Sequence, residues 1–240
     1  AVWAVQMLWI PFFAAGVING VGHYWGYRNF ETTDAATNIS PWGILIGGEE
    51  LHNNHHAFPS SARLSSKWWE LDIGWLYIRV LSALRLAKIK KVAPEPHVVE
   101  GKGVVDMDTL RAVIVGRMHV FARYTREVMA PVTRAELCHS ERDCRRIQRR
   151  TRRLLVLEGN RLDEQARQRL EKILAQSRKL ETVYEFRERL RDLWERRAPN
   201  QEALLKSLQD WCQQAEATGI QALETFAKNL RGYSLQVGNS

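Results

Sequence analysis

Cysteine is scarce in this chain, and charge is nearly missing from its first sixty residues. Three cysteines occur in 240 residues, Cys138, Cys144 and Cys212, and no two form a CxxC pair. An odd count without paired spacing argues against a disulfide framework or a cysteine-rich zinc site, and fits a reducing compartment. Residues 1–60 contain one basic residue, Arg28, and four acids, and residues 1–22 contain no charge at all. The apolar start has no basic segment before it, so a secretory leader is not expected. HExxH is also missing, which leaves a hydrolytic zinc site without support. The first residue is Ala, opening directly into AVWAVQMLWIPFF, and the chain is expected to be part of a longer one.

Charge enters later and is basic. Lys and Arg outnumber Asp and Glu by 35 to 27, a net +8, and residues 103–240 carry 26 of the basic and 19 of the acidic groups. The composition thus passes from apolar and aromatic to charged and helix-forming. The opening AVWAVQMLWIPFFAAGVINGVG would make a helix about 30 Å long, enough to cross a bilayer core. Pro11, Gly16 and Gly20 suit a membrane helix better than a soluble one, and a buried core helix needs fewer uncharged residues. Residues 1–22 therefore read as a membrane span. LDIGWLYIRVLSALRLAKIKK, residues 71–91, mixes Leu, Ile, Trp and Tyr with five cations and reads as an interfacial helix with its basic face toward anionic headgroups. By the positive-inside rule everything after the span is cytoplasmic.

The fold class expected is all-α, with residues 94–103 as a linker rich in proline and glycine. Beyond it, residues 104–240 read as a basic helical tail. One helix covers 107–129 and is stopped by Pro131. A second runs over 133–159. A third covers about 161–197, where Leu162, Ala166, Leu170, Ile173, Leu180, Tyr184 and Trp194 form a coiled-coil-like seam. ERDCRRIQRRTRR, residues 141–153, holds seven arginines in thirteen residues. Beside a bilayer such a run is expected to meet headgroups or an acidic partner, and nucleic acid is not expected as a partner.

Three of the seven histidines fall within five positions of GGEELHNNHHAFPSS: His52, His55 and His56. Their i, i+3, i+4 spacing puts all three on one face of a helix, where neutral imidazoles suit iron or zinc. His23 lies where the apolar segment ends, so all four imidazoles are expected near one membrane surface. Glu49, three residues before His52, has the ExxH spacing of carboxylate di-iron bundles and is expected to support a ligand rather than to be one.

These residues also carry a family likeness. NGVGHYWGYRNFETTDAATNISPWGILIGGEELHNNHHAFPSSA resembles the last third of the membrane-bound fatty acyl desaturases, most closely the bacterial acyl-CoA or acyl-lipid Δ9 type. The resemblance covers about residues 1–93 and joins Asn19, His23, Gly26–Tyr27–Arg28, the HNNHH box and the following AFP in order. The tail looks like the C-terminal extension that proteobacterial members carry. Parts of it are also faintly similar to the helical end of some insertion-sequence transposases, a likeness given little weight.

The resemblance implies a pair of irons held by histidines, with His23 as the lone ligand after a membrane helix, His52, His55 and His56 as the final box, and Asn19 beside one metal. It implies a reaction that places a cis double bond in an acyl chain, for unsaturated fatty acid biosynthesis. Acid–base groups cannot remove hydrogens from an unactivated methylene pair; iron with O2 and two electrons can. The implied partners are an acyl-CoA or acyl-lipid, O2 and a ferredoxin-, rubredoxin- or cytochrome-type donor with its reductase, at the bacterial inner membrane. Arg28, Lys90 and Lys91 are candidates for meeting the substrate or a headgroup. The family's HxxxxH and first HxxHH boxes occur nowhere here, so the chain on its own is expected to be inactive. The alternative function is a membrane-anchored basic helical module binding anionic lipid or nucleic acid.

Overall fold

The computed structural model describes residues 2–138, 144, 151, 154–155, 163–195 and 200–235. The protein is mostly helical and divides into two units, Ala1–Ala93 and Pro94–Ser240.

In the first unit a continuous helical stretch runs from Val2 to His23, long and apolar enough to cross a membrane by length and composition. It begins as α1 (Val2–Ile10), widens to π-helical turns over Pro11–Gly20, and tightens to a 3-10 turn at Val21–His23. The change of winding begins at Pro11, which has no N–H for an i→i−4 bond. Trp3 and Leu8 are 72% and 76% exposed, so this surface is not covered by the unit's own core. A two-residue parallel pairing of β1 (Trp42–Gly43) with β2 (Leu71–Asp72) closes the unit, and α2 (His52–Ala57) lies between them in sequence.

The expected interfacial helix over 71–91 is shorter. As α3 it spans Ile73–Ala83, begun by Asp72, whose side chain accepts the Trp75 N–H and also the N–H groups of Leu64 and Ser65. The chain leaves the helix through Leu84 and Arg85, the latter at φ 61°, and Lys88, Lys90 and Lys91 follow outside any helix or strand. Lys91 O accepts from Ala62 N–H, so this segment lies along the loop after α2 instead of presenting a basic helix face.

The second unit has its own core. Residues 94–103, expected as a linker, contribute β3 (Pro96–Val98), which pairs antiparallel with β4 (Tyr233–Leu235). Between them come α4 (Met107–Val115), α5 (Arg117–Tyr124), α6 (Ala130–Leu137), α7 (Glu164–Leu174), α8 (Arg178–Glu195), α9 (Gln201–Glu216) and α10 (Gln221–Arg231). Asp106, Asp163 and Asn200 each cap the helix that follows by accepting an N–H three residues on. Pro131 does not stop its helix. The turn Thr125–Met129 before it is π-wound, shifting the ladder where proline has no hydrogen to donate.

The expected 161–197 helix is broken at Ala175–Ser177 into α7 and α8. Its apolar seam is used inside the unit: Leu170 and Leu180 are buried, and Ala166, Ile173, Tyr184 and Trp194 lie against the same core. Leu162 is outside the described residues. Trp211 and Tyr124 are among the largest wholly buried side chains of the described residues, and each gives its polar hydrogen to a backbone carbonyl of α8, Trp211 to Phe186 O and Tyr124 to Val183 O. Cys138, at the end of α6, is joined to Cys144 as a disulfide, although the odd and unpaired cysteine count argued against a disulfide framework. Cys212 is free and buried, and burial pushes its thiol up to about 12. Most of the arginine run 141–153, and His139, lie outside the described residues.

Candidate metal centre

Two elements bring the imidazoles together. His23 ends the long apolar helix, and His52 and His56 lie one turn apart on α2. His52 Nε2 is 3.1 Å from His23 Nε2. One ring nitrogen from each of His23, His52 and His56 lies within 4.8 Å of the others, close enough to share an ion. His55 is on the same short helix, but its ring centroid stands 6.3 Å from that of His52 and 5.9 Å from that of His56, outside the trio. Asn19 is exposed one helical turn before His23. Among the described residues no other three histidines, cysteines or acids gather so closely.

A helix of six residues does not hold itself together in water. The two asparagines inside HNNHH supply the support. Asn53 is fully buried; its Oδ1 accepts the N–H groups of Asn29 and Phe30, and its Nδ2 donates to Phe30 O. Asn54 accepts from the amides of Asn29 and Asn38 and donates to Glu70 Oε2 at 2.9 Å. Asn38 in turn accepts the Asn54 N–H and forms a bridge with Tyr27. The bridge requires glycine at position 26: its φ is +147°, and a Cβ there would lie 2.2 Å from Asn38 O.

Electrostatics favour metal-ready imidazoles. His52 is 4% exposed, and burial, followed by the imidazoles of His56, His23 and His55, brings it down to about 4 against the pull of Asp34. It is therefore neutral at pH 7, the form that coordinates. Its Nε2 shares a hydrogen bond with His23 Nε2, which a bound ion would replace, and its Nδ1 is buried without a hydrogen-bond partner, which costs free energy. His56 Nδ1 is 2.5 Å from Asp34 Oδ2. A proton held there leaves Nε2 free as the donor atom. Burial raises the Asp34 carboxyl, but His56, the Ala36 N–H and the Thr32 hydroxyl outweigh it and hold it at about 2.

The supporting residues differ from those expected. Glu49 sits half-buried in the turn before α2 with its N–H on Ile46 O, while its neighbour Glu50 is buried and accepts the Leu45 and Ile46 N–H groups. Arg28 reaches Thr32 and Asp34 O, bracing the loop that carries Asp34. Asp34, Asn53, Asn54 and Glu70 were missed. The only sequence signal was the pair of amides enclosed by the histidines.

Comparison with known proteins divides the chain at the same place. Residues 1–87 match the fatty acid desaturase family, and residues 104–240 match a transposase family. The first region is 38% identical over 94 residues to the sn-1 stearoyl-lipid 9-desaturase of Anabaena variabilis, covering 38% of this chain and 34% of that protein. It is 43% identical over 79 residues to the sn-2 palmitoyl-lipid 9-desaturase of Nostoc sp. (strain 36), covering 33% and 27%. With the acyl-CoA 5-desaturase AL21 of Anemone leveillei it shares 42% over 94 residues, 39% and 29%. The chain thus spans about a third or less of these relatives. No solved structure matches. The transposase likeness, given little weight from sequence, extends over the whole tail.

Proposed function

We propose, for a chain that belongs to the transposase family by its residues 104–240 and is similar to the fatty acid desaturases over residues 1–87, that its first unit is part of the iron site of an O2-using acyl desaturase. The observation that carries the reading is the meeting of His23, at the end of a membrane-length helix, with His52 and His56. His55 and Asn19 complete the proposed donor set. Iron, when bound, would supply the oxidising power that removes two hydrogens from an unactivated methylene pair.

This chain's residues do the holding. Asp34 keeps a proton on His56 Nδ1, burial keeps His52 neutral, and Asn53 and Asn54 fix the helix that aims them. Their place at the end of the apolar helix suits a substrate, acyl-CoA or acyl-lipid, drawn from the bilayer. The rest of the proposal is inner-membrane placement with the site on the cytoplasmic side, and electrons from a ferredoxin-, rubredoxin- or cytochrome-type donor. Lys90 and Lys91 remain proposed headgroup contacts. In the complete protein His52→Ala should abolish both iron loading and unsaturated product. Full iron and retained product would show that the site is mislocated.

The transposase match favours a second reading for residues 104–240: a basic helical module that binds nucleic acid, now preferred to headgroups for the arginine run 141–153. Binding of the purified chain to duplex DNA should weaken steeply between 50 and 200 mM salt, roughly in proportion to the phosphates contacted. Binding to anionic vesicles with none to DNA would return the run to the bilayer, and binding to neither would remove the reading.

A further inference from the structure

Behind the histidine box lies a carboxylate, 7% exposed, that touches none of the imidazoles. Glu70 Oε1 accepts from the Tyr27 hydroxyl at 2.8 Å and the Asn29 amide at 2.5 Å. Its Oε2 accepts from the Asn54 amide at 2.9 Å and from the Ser66 and Lys67 N–H groups at 2.6 and 3.0 Å. All five donors are neutral. Two of them, Asn29 and Asn54, are also bonded to each other, and Asn54 belongs to the helix that carries His52, His55 and His56.

We infer that Glu70 is a positioning residue for the metal site, acting through Asn54 on the histidine-bearing helix and placing one negative charge behind a cationic centre. The inference rests on the metal reading proposed for His23, His52 and His56. Two features carry it. A buried carboxylate costs free energy unless its oxygens are fully addressed, and here five donors are committed to that task, so loosening any of them has a penalty. Neutral imidazoles bring no charge to an iron ion, and a buried acid behind them offsets some of what the ion brings. The arrangement also distinguishes Glu from Gln. With three donors at Oε2, two of them fixed backbone groups, the glutamine oxygen must stay on that side. Its amide hydrogens would then face the Asn29 amide, which cannot turn over without losing its bond to Asn54.

The test is a titration of the purified full chain with Co2+ alone, read by the ligand-field absorption of the bound ion. Glu70→Gln should weaken Co2+ binding at least about tenfold, the lower end of the range for groups that orient metal ligands. It should also shift the absorption of the ion that remains bound, with helical content unchanged; a merely structural role would not move that spectrum. Asn54→Ala cuts the connection itself while leaving the carboxylate its other four donors, and should act alike, which keeps the test decisive if Glu70→Gln fails to fold. Tyr27→Phe leaves Glu70 tied to both asparagines and should stay within about twofold of the unsubstituted chain. Unchanged affinity and spectrum in Glu70→Gln, or an equal loss in Tyr27→Phe, would overturn the assignment. No Co2+ binding by the unsubstituted chain would overturn the metal reading beneath it, a distinct result.

Discussion

Asp34 offers the sharpest prediction because replacing it by asparagine should do more than remove a charge. Its Oδ1 accepts two hydrogens, from the Thr32 hydroxyl at 2.8 Å and the Ala36 N–H at 3.0 Å, and its Oδ2 faces His56 Nδ1. In Asp34→Asn the single oxygen is drawn to the side with two donors, so the amide hydrogens point at Nδ1. His56 then accepts there and carries its proton on Nε2, the atom the metal needs. Asp34→Ala leaves Nδ1 to water and both tautomers open. Co2+ affinity at pH 7 should therefore fall by about 10- to 100-fold, or about 1.4 to 2.7 kcal/mol, with Asp34→Asn losing at least as much as Asp34→Ala. An asparagine variant that binds as well as the parent, or better than the alanine variant, would refute the tautomer argument.

The same carboxylate also fixes a pH dependence. Its folded value of about 2 lies below the ordinary 3.8. Its stabilisation is therefore present above pH 3.8 and lost as pH falls through 2. Fully realised it would be about 2.4 kcal/mol, but more than a third of the side chain is exposed, so solvent screening leaves about 1 kcal/mol.

Gly26→Ala should destabilise the first unit by about 2 kcal/mol or more, because a Cβ at φ +147° meets Asn38 O and parts the bridge beside Asn54; an unchanged thermal midpoint would mean that the bridge is dispensable. Tyr124→Phe should lower the urea midpoint of the second unit at constant slope, by about 1 kcal/mol, as the buried hydroxyl leaves Val183 O. Lys90→Ala with Lys91→Ala should leave Co2+ affinity intact and reduce partitioning onto anionic vesicles by about 1 kcal/mol per lysine; unchanged partitioning would leave both without a membrane role.

What the sequence disclosed and what it hid follow one physical rule. Repeating patterns were legible: the uncharged run to Gly22, the four-and-three spacing of Ala166, Leu170 and Ile173, and the i, i+4 relation of His52 and His56, since each depends on residues near one another along the chain. Breaks in those patterns were not. The seam over 161–197 reads as continuous although the helix stops at Ala175, because apolar spacing survives a turn that keeps the same core face. Pro131 reads as a stop because the compensating π turn needs no special residue. Least legible were the groups that aim the histidines. Asp34 lies 22 residues before His56, and Glu70 lies 16 after Asn54, so neither spacing has a period to betray it.

The donor set and its support therefore answer to different constraints. Ligands on one helix must obey helical spacing, whereas a carboxylate behind them need only arrive by some loop at the right depth. The same distinction bears on the two halves of the chain. The first unit gathers the buried polar groups Asn38, His52, Asn53, Asn54 and Glu70 around one helix, while the second places Trp211, Tyr124 and Phe226 in an apolar core and caps its helices with Asp106, Asp163 and Asn200. A metal site belongs to the first pattern. The second pattern leaves function to the surface, and for that reason the salt dependence of DNA binding, and not any core substitution, is the measurement that decides what the tail does.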